Sequence, residues 1–109
     1  MRIQKHREEY ELYITGKNLD ASVFSVTDFI KGNEKILKKI ADRKATVLQF
    51  GYDDTELFIS ASPKRFSWIL FHTAYIILKN SSDHPAIKIS VSLSGNEVAV
   101  RIGRNIIEN

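Results

Sequence analysis

A two-layer α+β sandwich is the fold class this sequence predicts: order βαββαββ, a mainly antiparallel sheet, and two helices on one of its faces. Three observations predict it. Ile87, Ile89, Val91 and Leu93 alternate with Lys88, Ser90 and Ser92; after Ser94-Gly95-Asn96, Val98, Val100 and Ile102 alternate with Ala99 and Arg101. Strict period-two alternation marks strands with one face buried and one face wet. Residues 62–80 carry a helical period instead, on a segment too apolar to lie at a surface. A chain of 109 residues is also one domain with one core, so these elements must cover each other.

In chain order, residues 1–8 read as a flexible N-terminal segment ahead of a single domain over 9–109. Tyr10, Leu12 and Ile14 alternate with Glu11 and Tyr13, which predicts a half-buried strand ending at Gly16. A turn over residues 17–20 leads to a helix capped by Asp20 or Ser22. Val26, Phe29, Ile30, Leu37, Ile40 and Ala41 form its inner face, and Gly32-Asn33 is expected to bend it. Residues 45–61 read as a hairpin around Gly51-Tyr52-Asp53-Asp54. Asp83-His84-Pro85 then opens the second hairpin.

Between the hairpins lies the helix that organises the chain. Ser62 stands as its N-cap and Pro63 at its first position, where a missing N–H costs nothing. The polar cluster Asn80-Ser81-Ser82-Asp83 suits its end. At about 100° per residue, ten side chains from Phe66 to Leu78 share an arc of roughly 220°. An ordinary surface helix needs an apolar stripe only a little over about 100° wide. This helix is therefore covered on more than one side. Lys64, Arg65, Trp68, His72, Tyr75 and Lys79 share the remaining narrow arc of about 100°.

Little here can do chemistry. The chain has no cysteine, which excludes disulfides, thiol nucleophiles and thiolate metal sites. His6, His72 and His84 are not at metal-ligand spacing, and no GxGxxG, GK[ST] or HExxH motif occurs. Asp53-Asp54 are neighbours in a turn, whereas hydrolytic acids face each other across a cleft. No catalytic, cofactor-binding or metal-binding residue is expected, and the chain is read as no enzyme. An active site would need His72 and Arg65 completed across a dimer interface. No apolar run reaches about 18 residues and the N-terminus is charged, so a cytoplasmic protein without membrane span or signal peptide is expected.

The run from Arg65 through Ser81, followed by the strands ending at Val98-Ala99-Val100-Arg101-Ile102-Gly103-Arg104-Asn105, resembles the core of the histidine-kinase-like (GHKL) ATPase domain. The likeness spans roughly residues 44–105 and lies in hydrophobic pattern and element order. It implies an ATPase-dead, truncated relative acting in signalling. The family's magnesium-binding asparagine falls on Ile76, its adenine-reading aspartate falls on Arg104, and only Asn105 persists. Arg104 donates hydrogen bonds where the family needs an acceptor. No nucleotide is expected.

Two binding readings follow. Trp, Tyr and Arg are enriched in interface hot spots, so Arg65, Trp68, His72, Tyr75 and Lys79 are read as a contact surface for a homodimer or another protein. The competing cover for this face is the first helix, packed over Trp68 and Tyr75. Nucleic acid is the alternative partner, through Lys31, Lys35, Lys38, Lys39, Arg43 and Lys44, with Tyr52 or Phe58 for stacking. The net charge of +3 permits that partner without requiring it.

Overall fold

The computed structural model describes residues 2–6, 9–14, 22–43, 46–79 and 86–104. In chain order these form β1 (Arg2–His6), β2 (Glu9–Ile14), β3 (Ser22–Ser25), α1 (Val26–Asp42), β4 (Val47–Tyr52), β5 (Phe58–Ala61), α2 (Pro63–Lys79), β6 (Ala86–Ser94) and β7 (Glu97–Arg104). The α+β class stands, with two helices against a mostly antiparallel sheet. That sheet has five strands in the order β1-β2-β7-β6-β4, and β3 pairs with β5 in a separate two-stranded ribbon.

The alternating stretch forms the antiparallel hairpin β6–β7, with Ser94 opposite Glu97. Its turn holds Gly95 at φ 62°, a left-handed conformation that costs glycine little. Ile89 faces Ile102 and Val91 faces Val100 across the pair. β2 continues the same face with Tyr10 beside Ile102 and Leu12 beside Val100. On the other flank β4 runs parallel to β6 and sets Leu48, Phe50 and Tyr52 beside Ile87, Ile89 and Val91. This face meets the inner sides of α1 and α2, including fully buried Ile30, Leu37, Phe66 and Leu70. Phe24, Phe29 and Phe66 meet at ring separations of 5.3–5.8 Å, tying β3, α1 and α2 together.

Three expectations need correction. Arg2–His6, expected as a loose segment, forms a strand along β2, with Arg2 opposite Tyr13 and His6 opposite Glu9. Its single large aliphatic residue suits an edge, where charged side chains discourage further pairing. Ser22 does not cap a helix; Ser22–Ser25 is a strand, and the Asp28 N–H donates to the Ser25 hydroxyl at 3.0 Å instead. Asp20, the other expected cap, lies outside the described residues. The element order is therefore βββαββαββ.

The hairpin over residues 45–61 does not form, because β4 and β5 belong to different sheets. The connection between them is tied to the start of α1: the Val26 N–H donates to the Leu57 carbonyl at 2.9 Å, and the Leu57 N–H to the Thr27 hydroxyl at 3.1 Å. α1 runs as one helix from Val26 to Asp42 through Gly32-Asn33, as expected. The Asn33 amide donates to the Phe29 carbonyl one turn back at 2.7 Å, so its polar group is satisfied along the helix.

Candidate functional site

α2 starts as its sequence requires: the Arg65 N–H donates to the Ser62 hydroxyl at 3.3 Å, with Pro63 at the first position. It buries Phe66, Leu70, Thr73, Ala74, Ile77 and Leu78 and half-buries Ile69, Phe71 and Ile76. The broad apolar arc is thus covered within the chain, by the sheet on one side and α1 beside it. The narrow arc is not. Lys64, Arg65, Trp68, His72, Tyr75 and Lys79 are all exposed, Trp68 to 66% and Tyr75 to 51% of their full area. The expected cover by α1 is absent.

Trp68 and His72 stand one turn apart and stack with ring centres 4.9 Å apart and planes within 9°. Ring-on-ring contact removes rotamer freedom from both, so the indole is presented in a set orientation. Half-buried Phe71 and Ile76 border the exposed arc on either side, giving the patch an apolar margin. Other exposed hydrophobics are differently placed. Val23 and Phe58 point outward from the β3–β5 ribbon, while Ile3, Ile36, Val47 and Leu93 are spread over separate elements.

The charge on α2 conflicts with its own dipole. α1 follows the rule, with Asp28 in its first turn and Lys39 in its last. α2 has no acid in its first turn and places Lys64 and Arg65 there, against the positive end of the helix. Local rules broken in this way are expected where a surface has a task besides folding.

The alternative basic set is arranged otherwise. Lys31 lies 5.0 Å from the centre of the Tyr52 ring and Lys38 5.7 Å from that of Phe50. These rings stack on each other at 6.4 Å. Lys38 also pairs with Glu34 at 3.9 Å, and Glu34 accepts the Tyr52 hydroxyl at 2.5 Å. The ring expected to stack on a base therefore carries the chain's own lysine. Lys35, Lys39 and Arg43 are exposed on α1, where Asp28 and Asp42 are also exposed, and Lys44 lies outside the described residues. Phe58 borders a shallow groove with Phe24, Phe29 and Pro63, but Asp28 and Glu56 share it.

Burial pushes the Tyr52 phenol well up, and the hydrogen bond and charge of Glu34 add to the effect. The unfolded phenol ionises near pH 10. Tyr52 therefore contributes stability that is complete below about pH 10 and is lost as pH rises through the higher folded value. Unfolding free energy from urea titrations should fall more steeply above about pH 10 in the native chain than in Tyr52→Phe. Parallel decline would show that the phenol is not held neutral.

The open face of the sheet holds a cluster that residue spacing does not reveal. The register sets Glu11 opposite Arg101, and the Arg101 Nε–H donates to Glu11 at 2.7 Å. Tyr13 donates to the same carboxylate oxygen at 2.8 Å, and Arg101 also reaches the Ser92 hydroxyl at 2.7 Å. Arg2 lies over the Tyr13 ring at 4.4 Å and pairs with Glu97 at 2.9 Å, fastening β1 across β2 to β7. The Glu11 hydrogen bond is the main reason the Tyr13 phenol is raised. Burial disfavours the Arg101 charge, but Glu11 more than offsets it, and the guanidinium ends above its ordinary value. These contacts join β2, β6 and β7 across the open face of the sheet.

Other candidates contribute little. The Asp54 N–H donates to the Asp53 carboxylate at 2.9 Å, as a turn pair does. Among the described residues no three His, Cys, Asp or Glu side chains could hold a metal ion, and no helix is long and apolar enough to cross a membrane. Ile76 is half-buried on α2, and Asn105 lies outside the described residues. His6 and Arg104 fall in strands, and His84 lies outside the described residues. No protein-family model, no curated protein and no solved structure matches the chain.

Proposed function

We propose that this protein is a non-catalytic interaction or self-association module whose contact surface is the Trp68/Tyr75 face of α2. One observation carries the reading: the sole tryptophan is 66% exposed and stacked in place on a helix whose other sides are covered. Aromatic side chains bury about 150–250 Å² each. Covering the exposed parts of Trp68 and Tyr75 would remove on the order of 200 Å² from water, about 5 kcal/mol before association costs. Few other residue types concentrate so much contact energy on so small a surface.

Site-directed photo-crosslinking in cells tests this. A photoreactive residue replacing His72 or Lys79 is expected to give discrete adducts that Trp68→Ser abolishes. The same residue replacing Lys35 on α1 should give none. Adducts of twice the chain mass would identify a second copy, and other masses a different protein. Equal adducts from both helices, or none from α2, would remove the assignment.

A further inference from the structure

We infer that the occupant of the α2 face is an acidic amphipathic helix of another protein, not a second copy of this chain. This rests on the interaction reading above and narrows it. The face carries Lys64 and Arg65 at one end, Lys79 at the other, His72 near the middle, and no carboxylate; α2 contains no acidic residue at all. A two-fold contact that lays two copies of α2 side by side along their length runs antiparallel or parallel. Antiparallel packing sets Lys64 and Arg65 against the other copy's Lys79. Parallel packing sets each cation against itself. Both bring like charges together in a partly desolvated rim with no acid on this face to relieve them.

An acidic partner answers both features of the face. Glutamates at the ends of its apolar stripe would meet Lys64, Arg65 and Lys79, and those facing Lys64 and Arg65 would lie at the positive end of α2, where its own cations fit the dipole poorly. The dimensions agree. α2 has 17 residues and is about 25 Å long, enough for one facing helix of similar length. Cations at two ends about 22 Å apart, with aromatic rings between them, have the apolar centre and polar rim of a protein contact. A nucleic-acid track would need cations along its length to follow the phosphates.

Two synthetic amphipathic helices of about 18 residues test the inference on the full chain. Both carry the same leucine stripe; one is bordered by glutamate, the other by lysine. Trp68 is the only tryptophan, so its emission reports cover of this face directly. The glutamate peptide is expected to shift that emission to the blue and to bind at least about tenfold tighter than the lysine peptide, with a preference that salt weakens. Lys64→Glu/Arg65→Glu/Lys79→Glu should reverse the preference, a gain for the lysine peptide that misfolding cannot produce. Equal affinity for the two peptides overturns the inference. So does a short single-stranded oligonucleotide that quenches Trp68 and displaces the glutamate peptide. Concentration-dependent dimerisation abolished by Trp68→Ser also overturns it, while leaving the interaction reading intact. A Trp68 signal unmoved by either peptide overturns it too, and the interaction reading then stands or falls on the α2 crosslinks.

Discussion

Phe66→Ala is expected to destabilise the protein by about 3–5 kcal/mol, the upper end of what truncating one core side chain costs. Phe66 is fully buried, with its ring edge-on to Phe29 at 5.3 Å and tilted against Phe24 at 5.8 Å. The alanine variant loses the transfer energy of the ring, leaves a cavity, and forfeits two aromatic contacts worth about 0.5–1.5 kcal/mol each. Domains of this size have a total stability of about 5–15 kcal/mol, so the variant should lie close to unfolding. Urea titration should show a lowered midpoint with little change in slope. A second readout follows from the topology. Among the described residues β3 and β5 pair only with each other, and isolated two-stranded ribbons are marginal. With Phe66 gone, the amides of β3 and β5 should exchange disproportionately faster than those of β6 and β7. A loss below about 1 kcal/mol would mean that the three rings do not form a packed unit.

What the sequence can and cannot disclose follows from how local each signal is. α2 is legible from end to end, because Ser62, Pro63 and the 3.6-residue period are all contained in one stretch. β6 and β7 are legible for the same reason, through alternation and the Gly95 turn. The six exposed residues of the candidate site come from the same wheel, since the covered and uncovered sides of a helix are set by spacing alone. The breadth of the apolar arc says less about partners: the sheet and α1 cover it without help from outside the chain. β1 is illegible because Arg2–His6 has one large aliphatic residue and edge strands need few. β4 and β5 are legible as strands, but the pairing expected between them is wrong. An apolar alternation fixes which face is buried but not which neighbour supplies the hydrogen bonds, and here the neighbour of β4 lies beyond α2. The Glu11–Arg101 pair spans 90 positions and exists only through that long-range register, so no motif could announce it.

That pair gives the second large effect. Arg101→Leu is expected to cost about 2–4 kcal/mol at neutral pH, somewhat below the usual range for a buried pair because the Arg101 side chain is 31% exposed. Leucine removes the 2.7 Å donor to Glu11, whose side chain is only 9% exposed, and releases the Ser92 hydroxyl as well. The carboxylate keeps Tyr13 but loses the Arg101 charge at a place where water can solvate it poorly. The penalty is mainly that of a buried acid deprived of the Arg101 charge, so removing the acid should lift much of it. Glu11→Leu/Arg101→Leu is expected to recover more than half of the loss, because an apolar pair of similar volume needs no counter-charge. A double-mutant cycle built from urea titrations of the four proteins would then show coupling of about 1.5 kcal/mol or more. Additivity within about 0.5 kcal/mol would mean that solvent already screens the pair. In that case β2 is held to β7 by its hydrogen-bonded ladder and the Leu12–Val100 contact, with the polar cluster merely lying over them.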